Sequence, residues 1–318
     1  GVRIGPATCN VEDMTTFEQF YDAYKKQMDY AIQLLVKADN AIDMAHAERC
    51  PLPFLSSMVD DCMKVGKTVQ EGGAVYNFTG PQGFGVANMA DSLYSVKTLV
   101  YDEKKITMGE LKEALATNYG KGLGAEDVAA MTAKIANELK EAGKTIGEKE
   151  VAAILNTVVA ASEAPEVKAN GERILKLIEE VPKFGNDIPE VDAFARDVAY
   201  TYTEPLQNYK NPRGGSFQAA LYPVSANVPL GAQTGATPDG RLAYQPVADG
   251  VSPSAGKDVN GPTAAANSVS RLDHYIASNG TLFNQKFHPS ALSGRNGLEN
   301  FVGLIRSYFD QKGSHMQF

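Results

Sequence analysis

Apolar positions recur at three- and four-residue spacing over 15–47, where Phe17, Phe20, Tyr21, Tyr24, Met28, Ile32 and Leu35 share one helical face. Thr15 with Glu18 reads as a capping box for this helix, and Pro51 and Pro53 stop it. The pattern predicts a second helix over 54–65, a turn at Gly72-Gly73 and a short strand at 75–78. A glycine-rich loop, TGPQGFG, covers 79–85, and helical spacing returns over 86–99.

From 107 to 181 the chain is rich in Ala, Glu and Lys, with helices predicted at 107–118, 125–142, 147–161 and 166–180. Gly120, Gly122, Gly124, Gly143 and Gly147 punctuate them. Residues 119–181 therefore read as a helical insertion or surface subdomain, its charges a solvated face. An amphipathic helix follows at 187–209 and then a strand at 216–228. The irregular run TGATPDGRLAYQPVADGVSPSAG is long enough to imply a functional or disordered loop. A helix at 263–274, a strand at 280–286 and a helix at 298–311 complete the series. Strands alternating with helices indicate an α/β fold.

Composition narrows the function classes. The 318 residues carry a formal charge of −8, which leaves no electrostatic footprint for nucleic acid. No apolar run approaches the ~18 residues of a membrane span, and GVRIGPATCN does not read as a signal peptide. Cys9, Cys50 and Cys62 lack CxxC spacing, which disfavours a disulfide framework or structural zinc site and suits a reducing cytoplasm. The alternating pattern in SHMQF predicts a strand cut short, hence a fragment of a longer chain.

Local motifs are sparse. GPQGFG is not GxGxxG and is better explained as a tight loop permitting close backbone approach. His46 sits where a histidine complements a helix C-terminus, and His274, His288 and His315 are too scattered to suggest a metal cluster. In YPVSANV a strand would place Tyr222, Val224, Ala226 and Val228 on one face, with Ser225 and Asn227 opposite. Pro223 and Pro229 move such a strand to an edge or a barrel rim. It is then either a pocket wall or an ordinary core strand. Asn284, Gln285, Lys286 and His288 pose a separate puzzle, because they interrupt a stretch that otherwise reads as core.

YNFTGPQGFG (76–85), ATPDGR (236–241), ADGVSPSAGKDVNGPTAA (248–265) and NGTLFNQKFHPSAL (279–292) together resemble the glycyl radical enzymes. They resemble in particular the dehydratase and lyase branch of the pyruvate formate-lyase family. The resemblance spans most of the chain outside roughly 119–180. It implies one domain over 1–318 that forms part of a ten-stranded β/α barrel, with 119–181 inserted. It also implies a protein-derived glycyl radical on an RVxGY-type loop, a cysteine on a GCVE-type loop and no metal in the enzyme. Further implications are a radical-SAM activating partner with an iron–sulfur cluster, a homodimer and a small-molecule substrate. In such chemistry the radical is relayed through the cysteine to substrate carbon, and a carboxylate assists loss of the leaving group.

Neither loop motif occurs here: Cys9 lies in ATCN, Cys50 in ERCPL and Cys62 in DDCMK, none followed directly by Val-Glu. The chain alone is therefore expected to be inactive, with no catalytic residue of its own. Tyr222, Val224, Ser225 and Val251 are the candidate substrate-facing residues. The wall 216–230 contains no Arg or Lys, whereas a sulfonate or carboxylate would favour a guanidinium fork. A small diol, glycerol or 1,2-propanediol, fits best; choline, which favours aromatic faces, comes second.

Overall fold

The computed structural model describes residues 4–122, 164–285 and 293–318, together with 132, 149–151 and 153. Most of two expected helices, 125–142 and 147–161, and the positions Lys286 and His288 lie outside the described residues. The chain divides into two units. One comprises Gly1–Asp91, Pro182–Val228 and Val247–Phe318; the other comprises Ser92–Val181 and Pro229–Pro246.

In the first unit, helix α1 (Phe17–Arg49) is capped one residue later than the sequence pattern suggested. Thr16 is the N-cap, and Gln19, not Glu18, closes the capping box. The Gln19 side-chain oxygen accepts from the backbone N–H of both Thr15 and Thr16, so the amide serves two donors. The expected helix over 54–65 is broken into α2 (Pro53–Ser57) and α3 (Cys62–Val65). Ser56 and Ser57 donate back to the carbonyls of Leu52 and Phe54, a local alternative that competes with helix propagation.

Four extended segments lie side by side in this unit, joined by isolated parallel bridges. Thr79 pairs with Phe217, Gln82 with Ala220, Leu221 with Thr281, and Asn284 with Gln317. The hydrogen bonds alternate as a parallel ladder requires: Thr79 N–H to Ser216 O at 3.0 Å, Gln218 N–H to Thr79 O at 2.8 Å, Leu282 N–H to Leu221 O at 3.1 Å. The predicted strand at 75–78 is thus displaced to 79–82. The predicted strand at 216–228 ends near Tyr222, where a turn at 224–226 leads into the short helix Asn227–Gly231. Pro223 has no N–H to continue the ladder, and its carbonyl instead accepts from Ala226 N–H.

Side chains along these segments alternate between two faces. Phe217 and Ala219 pack against Ile32 and Val36 of α1 and against Leu206 of the helix Pro189–Leu206. Each large apolar side chain so buried contributes roughly 1.5–3 kcal/mol. On the C-terminal segment Phe283 and Gln285 share the corresponding parity, and Phe283 meets Tyr308 of the helix Gly297–Asp310 at 5.4 Å. The opposite parity carries Gln218, Ala220, Tyr222, Leu282 and Asn284.

His274 braces the start of the 281–285 segment. Its Nε2 lies 2.9 Å from the Val269 carbonyl, which only accepts, so that nitrogen bears the proton. Nδ1 then accepts from Thr281 Oγ1 at 2.9 Å or from Ser314 Oγ at 3.2 Å. Burial holds the imidazole below its usual range, partly opposed by the Val269 carbonyl and Asp273.

In the second unit, Thr107 caps the helix Met108–Ala116 and a fully buried Tyr119 follows it. Tyr119 donates to the Thr237 carbonyl at 2.7 Å. A Cβ on Gly171, in the helix Pro165–Glu180, would lie 2.2 Å from the Tyr119 carbonyl, which explains glycine there. The loop carrying ATPDGR is wound around Arg241, whose guanidinium donates to the carbonyls of Leu242, Gln245 and Gly235.

Two outcomes follow from this packing. Gly215→Ala would put a Cβ 1.9 Å from the Asn77 backbone oxygen, so a loss of about 3 kcal/mol or more in urea unfolding is expected. For His274 the folded value is depressed, so its stabilising share is present above the ordinary value and is lost as pH falls below it. Urea titrations between pH 7 and 5 should show the native chain weakening more steeply than His274→Gln.

Candidate functional site

In parallel β/α arrangements ligands bind beyond the carboxyl ends of the strands. Here those ends are the vicinity of Gly83, Tyr222 and Gln285. The 248–254 segment lies against two of them. Val251 N–H donates to Leu282 O at 3.0 Å, and Asn284 N–H donates to Ser252 Oγ at 2.9 Å. Asn284 Nδ2 donates to the Asp249 carboxylate. Gly250 makes the approach possible. It has φ +60, and a Cβ there would fall 2.4 Å from Leu282 O and 3.1 Å from Leu221 O. Any side chain would push the segment off both strand ends.

The four candidate wall residues occupy different environments. Tyr222 is half-buried directly after the last paired residue, Leu221, and its ring lies 3.8 Å from where a Cβ on Gly280 would sit. Val251 is fully buried against the neighbouring segment's end. Val224 and Ser225 are exposed in the turn, and Val224 is 72% accessible. The structure brings Tyr222 and Val251 to one rim through Gly250; it places Val224 and Ser225 beyond that rim in the turn. Since the strand stops, Tyr222, Val224, Ala226 and Val228 do not share a strand face.

Val224 adopts φ +57, a left-handed conformation that a β-branched residue enters at a cost of about 1–2 kcal/mol. Its exposed side chain gains little from burial to offset that cost. Such strain is concentrated at ligand-facing positions, and no one-dimensional pattern reports it.

The polar pair in the C-terminal segment also divides by parity. Asn284 faces Asp249 and Ser252, where its amide is used. Gln285 is 3% exposed on the helix-facing side, and its backbone N–H donates to Gln317 O at 2.8 Å.

A separate cavity of about 290 Å³ lies between α1, the helix Pro189–Leu206 and the glycine-rich loop. Tyr24, Met28, Met89 and Tyr202 contribute to its lining. Burial and the nearby Asp39 carboxylate push the Tyr202 phenol up. A Cβ on Gly83 would meet the Tyr202 ring at 2.6 Å, and one on Gly80 would meet the Asn279 amide at 2.0 Å. GPQGFG is therefore a close-approach loop. His46 stands in the last turn of α1, where its carbonyl accepts from Cys50 N–H. Among the described residues, no three His, Cys, Asp or Glu side chains assemble into a metal-holding group. No helix there is long and apolar enough to cross a membrane.

Comparison with known proteins identifies the family. A pyruvate formate lyase-like family model matches residues 1–231, and a glycine radical model matches residues 247–318. The chain belongs to the pyruvate formate lyase-like family. It is 32% identical to a trans-4-hydroxy-L-proline dehydratase of Clostridioides difficile over 99% of this chain and 34% of that protein. It is 30% identical to a (2S)-3-sulfopropanediol dehydratase of Klebsiella oxytoca over 100% of this chain and 33% of that protein. The chain thus spans about a third of these relatives.

Among solved structures, one concerned with 1,2-propanediol dehydration in Roseburia inulinivorans has 60% identity and a TM-score of 0.88. That match covers 98% of this chain and 37% of the other. The glycerol-bound B12-independent glycerol dehydratase of Clostridium butyricum has 53% identity and a TM-score of 0.81 over 99% of this chain and 34% of that one. The pyruvate formate lyase-like fold is therefore shared, although the strands here are reduced to isolated bridges among the described residues.

The strained turn gives a local test. Val224→Gly should raise stability by about 1 kcal/mol in urea unfolding, because glycine enters this conformation freely and the lost side chain is exposed. A loss of stability would show that the valine is packed.

Proposed function

We propose that this chain builds one wall of a glycyl radical dehydratase that removes water from a small neutral diol, glycerol or 1,2-propanediol. The carrying observation is the 60% and 53% identity to the two structures concerned with propanediol dehydration and glycerol dehydration. The four parallel segments follow in sequence order with helices between them, as consecutive strands of a β/α barrel do. On this reading they are part of a ten-stranded barrel, and 119–181 is a helical insertion in it.

Tyr222, Val224, Ser225 and Val251 form the substrate wall in this proposal. Tyr222 contributes a phenol to a diol hydroxyl, Val224 and Val251 supply apolar boundaries, and Ser225 offers a second hydroxyl. The absence of Arg and Lys from 216–230 makes this wall a poor partner for a carboxylate or sulfonate.

A glycyl radical would supply hydrogen abstraction in the whole enzyme. Neither RVxGY nor GCVE is among these 318 residues, so the chain offers no residue to bear the radical or relay it. Its own contribution is to bind, orient and exclude water. The proposal includes a radical-SAM activating partner, a homodimer and a reducing cytoplasm as the setting.

Anaerobic activation of the full-length parent, followed by glycerol, 1,2-propanediol and choline in separate assays, tests the reading. Aldehyde from the diols is the expected product; trimethylamine from choline with no aldehyde from either diol would overturn it. In the same enzyme Val224→Phe should raise KM about tenfold or abolish turnover with little change in Tm, since the position is exposed. Normal kinetics would remove Val224 from the wall.

A further inference from the structure

The 248–254 turn is held against the strand ends by Val251 N–H and Ser252 Oγ, and something must fix it from the other side. Asn88, in the first turn of the helix Val86–Val96, is only 7% exposed and reaches both ends of that turn. Its Oδ1 accepts from Ala248 N–H at 2.5 Å, and its Nδ2 donates to Ser254 Oγ at 3.1 Å. Gly85, at φ +72, adds a donation from its N–H to Ala248 O at 3.2 Å. Between these anchors Gly250 is pressed onto Leu221 O and Leu282 O with no room for a Cβ.

We propose that Asn88 is a positioning residue that sets how deeply the 248–254 turn seats on the strand ends, and thereby the placement of Val251 beside Tyr222. The inference rests on the diol-dehydratase reading for its kinetic consequence, though not for its structural one. Two bonds at opposite ends of a seven-residue turn constrain its depth, whereas one bond would leave it able to pivot. Thr203, also buried, by contrast bonds within its own helix, to Ala199 O. Asn88 ties the helix that follows the glycine-rich loop to the turn and, through the turn, to both strand ends.

The test uses Asn88→Leu and Asn88→Asp in the full-length, anaerobically activated enzyme. Leucine fills the space but strands Ala248 N–H. Aspartate keeps both bonds, because its carboxyl can accept from Ala248 N–H and pair with the Ser254 hydroxyl in either protonation state. Asn88→Leu should speed hydrogen exchange in the peptide covering 248–254 about tenfold, the factor expected from losing a buried hydrogen bond. It should also change the ratio of kcat/KM for 1,2-propanediol to that for glycerol about fivefold or more, with Asn88→Asp restoring both readouts.

Unchanged exchange in that peptide would overturn the proposal. So would equal loss on both diols in step with a lowered Tm. If Asn88→Leu does not fold, Ser254→Ala removes one arm alone and must still speed exchange in the turn. If no diol is turned over by the native enzyme, the substrate reading fails separately, and exchange alone decides the role of Asn88.

Discussion

Backbone pairing between neighbouring parallel segments is the constraint on which the rest of the first unit depends. Once Leu221 is paired with Thr281 and Asn284 with Gln317, alternation assigns every side chain on those segments to a face. One face meets helices and must be apolar or internally satisfied; Phe217, Ala219 and Phe283 meet that demand. The opposite face carries polar groups, because the 248–254 turn and its hydrogen bonds lie against it. A slip of one residue would exchange Phe283 with Asn284 and place an amide against Tyr308.

That constraint also explains the glycines that the local motifs left unexplained. Gly80, Gly83, Gly215 and Gly250 each stand where another group passes too close for a Cβ. The intruders are the Asn279 amide, the Tyr202 ring, the Asn77 carbonyl and the two carbonyls at the strand ends. The glycine-rich loop is thus a packing device around paired strands. That geometry accounts for its glycines without a phosphate or dinucleotide.

The two units handle irregular chain differently. In the second, Arg241 gathers backbone carbonyls and Tyr119 reaches Thr237, so a loop with little regular structure is tied by side chains to itself and to its own helices. In the first, the 248–254 turn is tied to strand ends by backbone groups and to a helix by Asn88. Both solutions satisfy buried carbonyls and amides without forming a sheet, which is how so much of the chain is ordered outside helices.

The helices from Phe17 to Arg49, Pro165 to Glu180 and Gly297 to Asp310 were legible from apolar spacing and prolines, because amphipathic periodicity is a local property. The long peculiar strings around the glycines were enough to indicate the family. Strand limits were not legible: the pattern puts a strand at 75–78 and a loop at 79–85, and Pro223 ends a ladder that the alternation of Val224, Ala226 and Val228 would continue. Pairing partners decide where a strand stops, and they lie on segments remote in the sequence, as Thr79 is from Phe217 and Leu221 from Thr281. The left-handed Val224, the seat of Gly250 and the double reach of Asn88 were likewise decided in three dimensions, since each depends on atoms that the chain brings together only after the segments pair.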